Sequence, residues 1–228
     1  MSHLRKWGLV LCTSLISSIS YSQEKEFIEA DRPDQTEGVN FLPKNGIQVE
    51  NGLSFTETTI ENELALRYGL WEGTELRASL LSARNFSDLF TFSVKQSLLK
   101  GNQWMPSIAV FGYAKHSPED KWFTDALIAF SNEISPQINL DYHFGTVSGF
   151  KVLNNSFLLG YQPTERWSFF IEYLVYYSRS TSPEHNVDLG FSYDITRDFQ
   201  VDFILGDRDF YFGIKSLFLG AGLSYRIR

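Results

Sequence analysis

From Gly46 to the end of the chain, apolar and polar residues alternate with period two almost without a break. That period belongs to strands with one oily and one wet face. Ile47, Val49, Leu53 and Phe55 share one parity, and Gln48, Glu50, Gly52 and Ser54 take the other. Later runs are cleaner: Trp167, Phe169, Ile171, Tyr173, Val175 and Tyr177 in one, and Val187, Leu189, Phe191, Tyr193 and Ile195 in the next. Opposite the last set stand Asn186, Asp188, Gly190, Ser192 and Asp194. The pattern predicts about twelve strands, at 46–56, 60–69, 74–80, 89–98, 105–114, 124–134, 138–144, 152–161, 167–177, 186–195, 199–205 and 217–227. Several have the roughly 9 to 11 residues that a tilted strand needs to cross a bilayer.

The connections carry a second signal. Those at 70–73, 99–104, 135–137, 162–166 and 196–198 are short and rich in turn formers such as Glu72-Gly73 and Ser135-Pro136. After a first connection at 57–59, those at 81–88, 115–123, 145–151, 178–185 and 206–216 are longer. An outer-membrane barrel has this asymmetry when both termini are periplasmic. Aromatics gather toward the strand ends, as Tyr68, Trp71, Trp104, Tyr161, Trp167 and Tyr225, where amphipathic rings suit a headgroup girdle. A soluble barrel or a two-layer sandwich would bury the oily face and has no reason to alternate its loop lengths. The expected fold is therefore all-β: a transmembrane antiparallel β-barrel of about twelve strands, with Phe169, Ile171, Leu189 and Phe191 facing lipid.

Ahead of the barrel lie two segments. Arg5-Lys6, an apolar stretch from Trp7 to Ile19, and the small residues Ser20 and Ser22 read as a signal peptide over 1–22, cleaved after Ser22. Leu11 stands where a lipoprotein box before Cys12 would need a small residue. Residues 23–45 form a polar N-terminal segment without a clear period, a candidate clasp or plug, and 46–228 form the barrel. Export closes the cytoplasm and opens the outer membrane of a Gram-negative-type bacterium.

Composition removes several function classes. The 228 residues carry 20 Lys+Arg against 27 Asp+Glu, and an acidic chain is a poor match for nucleic acid. The single cysteine, Cys12, falls in the leader, so no thiol metal site or disulfide framework is expected in the mature chain.

By parity the wet wall includes Glu50, Glu61, Glu63, Arg67, Glu75, Arg77, Lys95, Asp125, Glu133, Asp141, Glu172, Asp188, Asp194, Asp202 and Arg226, eleven acids against four bases. Of these, Glu50, Glu61, Glu63, Arg67, Glu75, Arg77, Asp141 and Glu172, together with His143, are the candidate lumen residues for a solute. Rings of carboxylates raise local cation concentration, so the expected path is passive and favours cations or neutral polar solutes over anions. The motif Asp31-Arg32-Pro33-Asp34-Gln35-Thr36-Glu37 is a charged turn, because Pro33 fixes its own φ and pushes Arg32 toward extended geometry. It is expected to lie at the periplasmic mouth or lower lumen, with Arg32 paired to Glu50, Glu63 or Glu75.

No catalytic residue, metal site or cofactor is expected. The chain has no Gly-x-Ser-x-Gly elbow, His-Glu-x-x-His helix or phosphate loop. His143 sits beside Asp141 on the wet face, which is no triad without a placed serine, and His116 and His185 fall in expected external loops. A closed structural or adhesive barrel and an outer-membrane lipid hydrolase remain as alternatives. The expected partners are outer-membrane lipid, the barrel-assembly machinery and a small solute of unknown identity.

The stretches Ala30-Asp31-Arg32-Pro33-Asp34-Gln35-Thr36-Glu37, Leu42-Pro43-Lys44-Asn45-Gly46-Ile47-Gln48-Val49-Glu50-Asn51-Gly52, Leu66-Arg67-Tyr68-Gly69-Leu70 and Glu75-Leu76-Arg77 resemble the outer-membrane transporter family named for the meta-pathway of phenol degradation. These motifs lie in the first third of the chain, and the rest matches as alternating strands and turns. The resemblance implies an exported β-barrel and identifies no phenolic substrate. The chain departs from common barrel practice in ending on Arg228 where an aromatic is usual.

Overall fold

The computed structural model describes residues 27–83, 86–102, 105–117, 121–208, 210 and 216–227. The expected signal peptide, Trp104 and Arg228 lie outside the described residues. The chain forms twelve strands: β1 (Ile47–Thr56), β2 (Ile60–Trp71), β3 (Thr74–Ala83), β4 (Phe86–Leu99), β5 (Ser107–Ser117), β6 (Lys121–Ser135), β7 (Ile138–Val147), β8 (Val152–Tyr161), β9 (Trp167–Ser178), β10 (Glu184–Thr196), β11 (Phe199–Asp207) and β12 (Leu217–Ile227). Each pairs antiparallel with its chain neighbour, and β1 pairs with β12 to close the barrel, so no strand is left with a bare edge. The twelve expected strands and the fold are borne out.

The oily parity points outward. Leu53, Phe55, Leu64, Leu66, Phe169, Ile171 and Leu189 are exposed on the outer surface, whereas Gln48, Glu50, Arg67, Glu75, Lys95, Glu172 and Asp188 are buried inside. A soluble barrel has the reverse arrangement; this exterior suits hydrocarbon. At the end where the chain enters β1 and leaves β12, Trp167 stacks 5.8 Å from Phe169 and lies 4.6 Å from Tyr193, ring centroid to centroid. Tyr161 and Tyr225 are exposed at the same end.

The loop-length expectation needs correction. The strands run past the amphipathic stretches, so the connection expected at 81–88 shrinks to 84–85 and that at 115–123 to 118–120, while the one after β4 grows to 100–106. Hydrogen-bonded ladders do not require an apolar face. Lys115 and His116 in β5, Lys121 in β6 and Glu184 and His185 in β10 extend the hairpins after the oily period has ended. His116 and His185 are thus strand residues, beside Trp122 and Tyr173 respectively.

The interior also departs from uniform wetness. Ala109 and Phe111 of β5 and Leu127 and Ala129 of β6 form a buried apolar cluster on the inner face. Val39 and Phe41, from the segment ahead of β1, pack against it and keep it dry.

Candidate functional site

Residues 27–42 run inside the barrel, and the exposed residues 43–45 turn at its rim. Asn45, with a φ of 64°, turns the chain into β1, where its N–H donates to Gly69 O at 2.7 Å. Gly69 is required there, because a Cβ would fall 2.1 Å from Pro43 O. Upstream, Leu42, Thr36 and Ile28 are buried, and the segment touches opposite walls of the lumen.

One wall is basic. Arg67 of β2, Arg77 of β3 and Lys95 of β4 lie side by side, with Arg67 and Lys95 buried. Two wall carboxylates hold this group in place. Glu75 accepts from Arg67 Nε at 2.8 Å and from Arg77 Nε at 2.6 Å, and Glu50 accepts from Arg67 Nη1 at 2.9 Å. The segment supplies two more. Asp31 pairs with Arg77, lies 3.5 Å from Arg67 and is 4.0 Å from Lys95. Glu37 takes Arg77 Nη1 at 2.9 Å and the Tyr113 hydroxyl at 2.8 Å. Lys95 also donates to Asn40 O and lies 4.8 Å above the Phe41 ring. Burial opposes the Asp31 carboxylate, but Arg67, Arg77 and Lys95 outweigh it and hold its pKa below the ordinary value.

The opposite wall is acidic and hydroxylic. Glu172 of β9 accepts from the Gln35 N–H at 3.0 Å and from the Thr36 hydroxyl. Gln35 Nε2 donates to Asp188 of β10 at 2.5 Å. Thr36 Oγ1 is 2.8 Å from Ser156 Oγ of β8, which is 2.9 Å from His143 Nδ1 of β7. His143 Nδ1 also accepts from the Glu37 backbone N–H at 3.1 Å. Burial and then the nearby Glu172, Asp31, Asp141 and Glu37 push Asp34 well above the usual carboxylate range.

Arg32 lies over the seam between β1 and β12. Gly52 and Gly222 are partners in register there, and a Cβ at Gly52 would come within 1.9 Å of the Arg32 guanidinium carbon. The guanidinium reaches Asp202 of β11 at 3.6 Å and Glu63 of β2 at 3.9 Å. Of the three carboxylates expected for Arg32, Glu63 is the one it meets, because Glu50 and Glu75 are held by Arg67. Asp202 and the glycine pair escaped the sequence reading of this contact. The signal available was Gly52 and Gly222 falling on wet parity in the two strands that must meet to close the barrel.

The segment divides the interior. A cavity of about 430 Å³ on the side away from the termini is lined by residues 31–37 together with Glu61, Glu63, Lys115 and Arg208. A second of about 660 Å³, at the termini end, is lined by Arg32, Pro33 and Asp34 together with Glu29, Glu133, Asp141, Glu165, Asp194 and Arg197. Residues 32–34 belong to both. Glu61 is engaged by Arg208 at 3.4 Å, and Asp141 by Asn139. Lys115, paired with Asp125 at 3.3 Å, is a fifth wall base that the parity count omitted.

Ser156 is the serine that His143 lacked in sequence. The arrangement is a poor nucleophile: the Nδ1 that meets Ser156 is also taken by the Glu37 N–H, and Thr36 and Glu37 cover the pair, leaving Ser156 without exposure. Among the described residues, no group of three or more His, Cys, Asp or Glu has the geometry to hold a metal ion.

A family model described as "Putative MetA-pathway of phenol degradation" matches residues 30–227. No curated protein matches the chain. Among solved structures, the fold resembles the KdgM porin (TM-score 0.67, 10% identity, 79% of this chain and 99% of that one). It also resembles the NanC porin (0.64, 12%, 78% and 98%) and the COG4313 outer membrane channel from Pseudomonas putida F1 (0.63, 13%, 87% and 100%). At these identities the likeness is one of fold.

Proposed function

The chain belongs to the family of the MetA-pathway of phenol degradation, and we propose that it is a passive outer-membrane channel for small polar solutes, narrowed at rest by its own N-terminal segment. The observation that carries this reading is the pair of polar cavities, one toward each end of the barrel, with residues 32–34 of the segment lining both. The segment is held there by side-chain contacts and belongs to no strand, so displacing it breaks no barrel ladder. The exported chain, freed of residues 1–22 and assembled by the barrel-assembly machinery, sits in outer-membrane lipid with both termini periplasmic. An outer membrane offers no ATP and the sequence carries no nucleotide loop, which leaves diffusion as the driving force.

Passage favours cations and uncharged polar solutes while the segment is docked. The basic wall is then neutralised by Asp31, Glu37, Glu50 and Glu75, whereas the termini-end cavity presents Glu29, Glu133, Asp141, Glu165 and Asp194 against Arg32 and Arg197. Low-dielectric walls make such an imbalance felt along a narrow path. Hydrolysis is disfavoured because the Ser156–His143 pair serves to pin the segment. Reversal potentials of the refolded mature chain across a potassium chloride gradient test the reading. A cation-selective sign that weakens at high salt is expected. Anion selectivity overturns the preference, and silence of both the intact chain and a segment-loosened variant favours a closed structural barrel.

A further inference from the structure

The basic wall has the shape of a binding site with its ligand in place. Glu50 and Glu75 occupy Arg67 and the Nε of Arg77, which leaves both terminal nitrogens of Arg77, the Lys95 ammonium and the Tyr113 hydroxyl facing the lumen. Two carboxylates of the segment, Asp31 and Glu37, take these groups up. They meet one guanidinium from its two ends, as the two acid groups of one short molecule would. The Phe111 ring lies beneath, 5.2 Å from Arg77 and 5.3 Å from Lys95, and gives the pocket an apolar floor.

We infer that Arg77, Lys95, Arg67 and Tyr113 form a luminal binding site for small dicarboxylates, which Asp31 and Glu37 fill in cis and from which such a solute displaces the segment. The inference rests on the channel reading for its physiological sense, with the diacid as the ligand that moves the segment and not as the favoured permeant. Planar carboxylates match the guanidinium fork, and a phenolic hydroxyl adds a directional donor. Three cations set against two fixed wall carboxylates leave a single positive charge, so a larger polyanion would meet Glu50 and Glu75. A four-carbon diacid brings no more charge than the segment already places there. Competition follows from mass action: a solute that binds only the vacated wall shifts the segment toward the undocked state.

Equilibrium dialysis with labelled succinate, on the refolded full-length mature chain, reads the site whether or not the barrel conducts. The double variant Asp31→Asn/Glu37→Gln is expected to bind succinate at least tenfold more tightly than the unaltered protein, because its internal competitor is neutralised. Adding Arg77→Gln removes that binding; should this variant misfold, Tyr113→Phe serves instead and weakens it severalfold. The uncharged isostere 1,4-butanediol does not bind. In the unaltered protein, millimolar succinate speeds cutting after Glu37 by a glutamate-specific protease. Equal succinate affinity with and without the two carboxylates, indifference to Arg77→Gln or Tyr113→Phe, or equal binding of the diol overturns the site. Conductance without any succinate binding leaves the channel standing and sinks the dicarboxylate site alone.

Discussion

The two walls of the lumen face each other across one short peptide and hold it by opposite means. On β2–β5 the grip is ionic: Arg67, Arg77 and Lys95 surround Asp31 and Glu37. On β7–β10 it is made of hydrogen bonds from Gln35 and Thr36 to Glu172, Asp188 and Ser156, with a backbone N–H on His143. A net count of acids and bases averages this away. What it loses is a lumen charged across its width, which sorts the side chains of the segment left from right.

The basic wall should be the costlier one to break. Arg67→Met leaves Glu50 buried without its cation and strips Glu75 of one of its two, which costs about 3–5 kcal/mol. Urea unfolding of the refolded barrel should show a loss of that order. A Glu50→Gln/Arg67→Met pair should recover part of it, and no recovery would mean that the ion pairs are not what stabilises this wall.

Next comes the seam, where the two grips meet. Gly52→Ala should eject the Arg32 guanidinium and leave the buried Asp202 carboxylate without its cation, a loss of about 1–3 kcal/mol in docking. Cutting after Glu37 should accelerate while the barrel's own unfolding midpoint stays put. A lowered midpoint with unchanged cutting would place the strain in the strands and not in the segment.

The hydrogen-bonded wall should yield less. Thr36→Val removes the hydroxyl shared with Ser156 and Glu172, for about 1 kcal/mol. An effect on protection at Glu37 larger than that of Gly52→Ala would reverse the ranking.

The smallest effect near neutrality is a pH dependence with two limbs. The Asp34 pKa is raised in the docked state, so its contribution is present at low pH and is lost as pH rises through that raised value. The Asp31 pKa is lowered, so its contribution is present above the usual carboxylate range and is lost as pH falls through the lowered value. Protection at Glu37 should therefore fall at both extremes. Asp34→Asn should erase the upper limb alone, and an unchanged upper limb would show that Asp34 does not titrate there.

The barrel was legible because strand number, parity and the outward oily face all reside in a local period of two, as the match of 152–161 with β8 and of 217–227 with β12 illustrates. The hairpin extensions were not, since Lys115, His116 and Glu184 continue a ladder that hydropathy does not record. The candidate site was half legible. Parity placed Arg67, Arg77, Glu75 and Glu172 inside, and mixed charge brought Asp31–Glu37 toward them. Which residue meets which depends on register around a closed circle, so Asp202 with Arg32 and Ser156 with His143 lay beyond any local pattern. The dry patch of Phe111 and Leu127 was hidden for a related reason: what covers it comes from Val39 and Phe41, outside the barrel sequence.

The place where Arg32 rests has a bearing on the order of assembly. Its cradle needs Gly52 from the first strand, but also Asp202 and Gly222 from the last two, which leave the export machinery more than 160 residues after it. The segment precedes every strand in the chain, and the seat of its Arg32 is complete only once β12 is paired with β1. The Arg32 contact therefore depends on the closing register, and a chain whose final strand has slipped would offer Arg32 no flat glycine floor.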